Sequence, residues 1–487
     1  MLSIVAPNGF SCVVTLTLCF FFGVIAQTKG QSSGQQAHFP VTLSAWGVDS
    51  IHRRDLEVRG AASCATSSCH GGPKAGVSSV EAPRGSEYPL WFEADPHARS
   101  WKTLSSESSM RILTKLGIWQ DGKIANLAGY QNCLACHNTD QKLGADQISP
   151  RIAEGVGCES CHGPSEHWYN RHYQGKESKR IAIASLGLTD SGPLLNRAKL
   201  CAACHVGSKD RDMNHDIIAA GHPALYFDMA VYHEAYPKHW RDAEQENIQF
   251  RSQLWLAGQI ASAASELELL ESRACKSLPV STWPELSNFQ CNSCHLALDG
   301  IPKPARSSDR DRIRTGRAPI RNWNLSGLSS LPRSSNGAED DIMASARELR
   351  SLLEEPKPDP IRVAEEARKL SGQLVASLYG DGKLILPTWS RQTQLARTIQ
   401  LMEETKRSNS WETAAVAYTA AWATHPKMAD DSLAEALRTL RNGLLFPSEW
   451  MVPNFPRLQN STPPPNLKEW DDSLQRVTSV LIHEEQK

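Results

Sequence analysis

Four times in this chain the order Cys-x-x-Cys-His recurs: Cys133 to His137, Cys158 to His162, Cys201 to His205 and Cys291 to His295. On one turn of helix, positions i, i+3 and i+4 share a face, so two thiols can reach one porphyrin edge while the histidine addresses an iron. This is the attachment pattern of a c-type haem. At the Cys and His frequencies of this sequence, about 0.01 such matches would arise by chance, so four are not accidental. Structural zinc would need four ligands gathered into a closed tetrahedron and would leave each trailing histidine unexplained. A thioredoxin-like pair expects a βαβ setting, and none of these segments reads as strand.

A fifth signature stands at Cys64-Ala-Thr-Ser-Ser-Cys69-His70, where four residues separate the cysteines. The loop must bulge to bring both sulfurs to one haem, a spacing known among multihaem cytochromes; the alternative is a degenerate relic without haem. The cofactor expectation is therefore haem c, four or five covalently bound. Of the 13 cysteines, ten belong to these signatures, Cys12 and Cys19 lie in the leader, and Cys275 is left over. No disulfide framework is available. Cys275 reads as a quiet buried thiol.

A formal net charge of -1 gives the chain no overall field for nucleic acid or an anionic membrane. The leader is apolar from Cys12 to Ala26 and closes with Val24-Ile25-Ala26, which reads as a secretory signal cleaved before Gln27. It carries no Lys or Arg before Lys29, so an uncleaved anchor is the alternative and the one route to membrane contact. The organisation expected is a signal peptide over 1–26, a loose lead-in over 27–60, and a multihaem core over 61–300. An Arg/Ser/Pro-rich wrap or linker follows over 301–340, then a helical domain over 341–448 and a Pro-rich tail with a terminal helix over 449–487. The fold class expected is mostly α, with little regular strand. The clearest helix spans 247–273, where Leu254, Ile260, Leu267 and Leu270 approximate one apolar face. Helical spacing also marks 341–355, 359–379, 388–407, 409–424 and 430–445, with Pro360 at a first helical position and Asn409 with Glu412 in a capping pattern. Arg306, Arg310, Arg312, Arg314, Arg317 and Arg321 suit a solvated linker or, alternatively, pairing with haem propionates or an acidic partner.

Each signature supplies one proximal histidine: His70, His137, His162, His205 and His295. The opposite face of each iron decides function, since a second histidine closes it for electron transfer and an open face admits substrate. The distal candidates are His97, in Asp95-Pro96-His97-Ala98; His167, which follows its own signature too closely to pass behind the same porphyrin and so would serve a neighbour; His215 and His222, seven apart; and His239. His172 and His233 read as ordinary histidines.

The Cys158-to-Pro164 run with its trailing His167, the Asp95-to-Ala98 segment, and Cys201 to His205 followed by Asn214 to Pro223 resemble the cytochrome c-554 family, whose tetrahaem members accept electrons from hydroxylamine oxidoreductase. The resemblance covers about 61–323. It implies a mostly helical fold with closely stacked haems, most of them bis-histidine, and room for one five-coordinate haem. The wide first signature and the Cys-free C-terminal half depart from the small tetrahaem carrier. A Cys-x-x-Cys-Lys variant is absent, which weighs against an ammonia-forming nitrite reductase. The function expected is an exported, periplasmic electron carrier whose partners are quinol- or cytochrome-linked proteins or a multihaem oxidoreductase. The alternatives are a redox enzyme with one open haem acting on nitric oxide, hydroxylamine, nitrite or a sulfur species, and a scaffold role for the C-terminal helices.

Overall fold

The computed structural model describes residues 56–72, 85–140, 153–173, 186–240, 242, 249–276, 283–291, 294, 317–331, 338–380, 383–387, 390–408, 410–424, 432–444 and 467–485. The leader, most of the lead-in, His295, Arg306 to Arg314, Asn409 and the Pro463-to-Pro465 run lie outside these residues. Among the described residues the fold is mostly α. The regular strands are two two-residue hairpins, β1 (Trp119–Gln120) with β2 (Lys123–Ile124) and β3 (Tyr379–Gly380) with β4 (Lys383–Leu384).

Short capped helices frame the signatures: α1 (Glu87–Ala94), α2 (Glu107–Lys115), α3 (Leu127–His137), α4 (Leu194–His205), α5 (His215–Ala220) and α6 (Met229–Ala235). Side chains of Ser106, Asn126, Asn214 and Asp228 accept first-turn backbone N–H groups and so fix where α2, α3, α5 and α6 begin. Both α3 and α4 end on a signature histidine, so each set of two thiols and one imidazole lies on continuous helix, as the spacing requires. The Cys158 signature is a single turn, Glu159–His162, stopped by Gly163 at φ 81°. A Cβ there would collide with the carbonyl oxygen of Gly187. In the wide signature the extra residues close on themselves: His70 N donates to Cys64 O at 3.3 Å and Gly71 N to Thr66 O at 3.0 Å.

The axis of the molecule is α7 (Phe250–Lys276). Leu254, Ile260, Leu267 and Leu270 are buried, but so are Leu256, Ala257, Ala263, Ala264 and Leu269. The single apolar face expected from the sequence is thus an all-round one, because α4, α6, α9 (Pro360–Leu378) and α11 (Trp411–Thr424) all pack on it. The C-terminal half adds α8 (Ala338–Leu353), α10 (Arg391–Ser408), α12 (Ser432–Leu444) and α13 (Leu467–Glu485), close to the spans read from spacing. Pro360 does open α9; at α11 the Oγ of Ser410 receives the N–H of Thr413 at 3.4 Å.

One hydrophobic cluster runs from Leu195 to Leu481, so the C-terminal helices share a core with the signature-bearing half through α7. Residues 317–331 are packed into that junction. Trp323 is buried and donates its indole N–H to Phe227 O at 2.9 Å, and Arg321 lies against the Tyr226 ring at 4.7 Å. Cys275 packs at the edge of the same cluster. Among the described residues no helix is long and apolar enough to cross a membrane.

Candidate functional site

Each of the four described signature histidines faces a histidine from outside any signature. Ring centroids are 6.1 Å apart for His70 and His172, 6.4 Å for His137 and His222, 6.2 Å for His162 and His239, and 6.1 Å for His205 and His97. Two imidazoles sharing one iron, each with its nitrogen at about 2.0 Å, would hold their centroids about 6.3 Å apart. The rings are near parallel at the first site, at 15°, and near perpendicular at the second and fourth, at 79° and 85°.

The Nδ1 atoms are occupied elsewhere. His137 Nδ1 lies 3.1 Å from Ser100 O, His222 Nδ1 is 2.9 Å from Pro223 O, and His172 Nδ1 is 2.8 Å from Tyr169 O. His70 Nδ1 is 3.1 Å from Glu87 Oε2, and His97 Nδ1 is 2.9 Å from Asp95 Oδ1. An N–H committed in this way fixes the tautomer and leaves Nε2 with the lone pair a metal needs. Burial pushes His162 down to about 4 and His205 down to about 3, which keeps these imidazoles neutral. At His97 burial acts in the same direction, but the Asp95 carboxylate outweighs it and the pKa rises.

His97 is held by its own local sequence. Asp95 caps the turn Pro96–Arg99 by accepting the His97 N–H, Pro96 supplies a preset first position, and His97 O receives Val156 N at 3.0 Å. The same economy anchors the first and third signatures. Glu159, inside Cys158-Glu159-Ser160-Cys161, accepts the N–H groups of Arg59, Gly60 and Ser165 at 3.1, 2.8 and 2.7 Å. Glu154 accepts Ala61 N at 2.7 Å, at the start of the turn Ala61–Cys64.

Thiols of different signatures also meet. Hydrogen bonding from Cys158 draws the Cys64 thiol down to about 7, while Cys158 itself is pushed up. Cys136 acts likewise on Cys204, which falls to about 6. Burial pushes both Cys161 and Cys201 up to about 12. These contacts put the first signature beside the third and the second beside the fourth. None of the eleven described cysteines is in a disulfide.

His167 is half exposed, 4.0 Å from Glu166, and no signature histidine faces it among the described residues. The ring that faces His70 is that of His172, an ordinary histidine by its local sequence. His172 lies ten positions beyond His162, and no local signal in the sequence sets it apart from His167. His233 is buried, 3.2 Å from Asp242 and 3.1 Å from Arg197, and serves structure. His215 and His222 do not share a helix face, because Gly221 at φ 123° ends α5 between them. His215 instead adjoins the fifth signature: its N–H donates to Glu285 Oε1 at 2.8 Å, and that oxygen also caps the turn Leu286–Asn288 just before Cys291. His295 lies outside the described residues, whereas Cys291 and Cys294 are described.

The residues fit haem on a second count. Trp101 Nε1 and Trp168 Nε1 are buried donors with no hydrogen-bond partner. The Trp101 side chain packs against the Leu104 and Leu134 cluster that Cys133 also borders, and the Trp168 ring meets His172 at 5.3 Å. Orphaned indole donors at such positions suit the acidic edge of a bound porphyrin.

Residues 63–163 match the family model described as cytochrome c554 and c-prime. Cytochrome c-554 of Nitrosomonas europaea is 30% identical over 126 residues, covering 22% of this chain and 52% of the relative. The chain thus spans about half the length of that curated relative. No solved structure matches the chain. The segment that carries the first three signatures is therefore similar to the cytochrome c-554 family of c-type cytochromes.

Proposed function

We propose that this chain is an exported electron carrier with five haem c sites, each closed by two histidines. The observation that carries this reading is the recurrence of facing histidines at 6.1, 6.4, 6.2 and 6.1 Å on four of the signatures. Cys64 and Cys69, Cys133 and Cys136, Cys158 and Cys161, Cys201 and Cys204, and Cys291 and Cys294 would hold the porphyrins. The axial pairs would be His70 with His172, His137 with His222, His162 with His239, His205 with His97, and His295 with His215. Bound haem supplies one-electron chemistry at iron.

The chain's own residues supply position. The Cys64–Cys158 and Cys136–Cys204 contacts would draw the sites together in pairs, the first with the third and the second with the fourth. Imidazoles fixed through Nδ1 hold their geometry as iron changes charge, which limits the reorganisation that slows electron transfer. The partners are redox proteins on either side of this chain, quinol- or cytochrome-linked or a multihaem oxidoreductase, and the leader delivers the chain to the compartment where they operate.

The test is a spectrum of the oxidised, haem-loaded protein. Wholly low-spin iron, unmoved by cyanide or nitric oxide, is expected, with a rhombic signal from the parallel first pair beside strongly anisotropic signals from the perpendicular pairs. A high-spin signal that shifts on adding either ligand would instead assign an open iron and a redox enzyme acting on a small nitrogen or sulfur species.

A further inference from the structure

The partners of the ligand imidazoles are not equivalent. At His137, His172 and His222, Nδ1 meets a neutral backbone carbonyl. At His70 it meets Glu87, whose side chain is 26% exposed and therefore shared with water. At His97 it meets Asp95, whose side chain is 2% exposed. A carboxylate in so dry a place acts on its imidazole with little screening, and accepting the Nδ1–H strongly makes the opposite nitrogen a better electron donor.

Asp95 is itself restrained. Its second oxygen receives the phenolic O–H of Tyr236 at 2.5 Å, and the Tyr236 ring packs against His97 with centroids 5.8 Å apart. A donor on one carboxylate oxygen withdraws charge from the other, so Tyr236 weakens what Asp95 does to His97.

We infer that Asp95 and Tyr236 are opposed positioning residues that set the reduction potential of the fourth iron through His97: Asp95 lowers it and Tyr236 raises it. The inference rests on the reading in which His97 and His205 share one iron. A more electron-rich imidazole favours ferric over ferrous iron, so removing the carboxylate charge makes the iron easier to reduce. Removing the phenol concentrates charge on the oxygen that faces His97 and makes reduction harder.

The experiment is a mediated redox titration of the full-length, haem-loaded protein, following the visible and paramagnetic signals of each iron. Asp95→Asn keeps the capping acceptor and the shape, and is expected to stabilise the reduced form of one iron at least tenfold, a rise of 59 mV or more. Tyr236→Phe is expected to move the same iron in the opposite direction, with the other midpoints unchanged. Loss of packing alone would move both variants the same way, so shifts of equal sign overturn the inference, as does the absence of any shift. Should Asp95→Asn fail to take up haem, Tyr236→Phe decides alone: a fall supports the inference, and no change or a rise overturns it. His97→Ala separates the two levels. A new high-spin iron upholds the ligation on which the inference rests, and an unchanged low-spin spectrum removes both.

Discussion

Replacing Glu412 by alanine is expected to destabilise the signature-bearing half and the C-terminal helices together. Glu412 is 7% exposed at the start of α11. One carboxylate oxygen accepts from Arg321 Nε at 3.2 Å and the other from Asn322 N at 2.5 Å. Arg321 also donates to Leu225 O at 3.1 Å. The ion pair therefore fastens the 317–331 wrap between the residues beside α6 and a helix of the C-terminal half. Glu412→Ala would strand a guanidinium whose side chain is only 16% exposed and would orphan one peptide N–H. Breaking a buried pair from one side costs about 3–5 kcal/mol, most of it the uncompensated charge. Replacing both partners, Arg321→Met with Glu412→Ala, removes that charge and is expected to cost less than the sum of the two single changes by more than about 1 kcal/mol. The assay is urea unfolding of the haem-loaded protein, read in parallel by far-UV circular dichroism and haem absorbance. Because the core is continuous through α7, both signals should shift to the same lower midpoint. Additive single changes, or a haem signal that stays in place while the helical signal moves, would refute the argument.

His172→Ala is expected to leave one iron high-spin and His167→Ala none, as read in the spectrum of the oxidised protein. Leu267→Ala, at a site with 0% exposure on α7, should lower stability by about 2–5 kcal/mol in the same unfolding assay. In the cluster of Arg197, His233 and Asp242, burial outweighs the Asp242 bond at His233, with Lys238 and Arg197 acting in the same direction as burial, and lowers its pKa; bonds from His233 and Arg197 overcome burial at Asp242 and lower its pKa too. Both depressions contribute stability at neutral pH that is lost on acidification, His233 below about pH 6.5 and Asp242 below about pH 3.9, so Asp242→Asn should flatten the acid limb of a melting-temperature profile.

What could be read from the sequence was whatever depends on local spacing. The i, i+3, i+4 thiols and imidazoles of α3 and α4, the Asp-Pro-His turn that presents His97, and the C-terminal helices with Pro360 at a first position all follow from neighbours in the chain. What could not be read depends on partners distant in sequence. His172 meets His70 across 102 positions, although His172 and His167 look alike locally. The periodicity of α7 revealed one apolar face, while Ala257, Ala261, Ala263 and Ala264 on its other faces are small because whole helices lie against them. Arg321, in a stretch whose composition suits solvent, is buried because Glu412 lies 3.2 Å away. Asp95 was visible as part of a turn, but its charge matters through Tyr236, 141 positions later.

The most direct test of covalent haem on ten cysteines is the intact mass of the exported protein under denaturing conditions. The account predicts a polypeptide beginning at Gln27 and carrying five haem masses. A mass equal to the bare polypeptide, or one short of five haems, would contradict it.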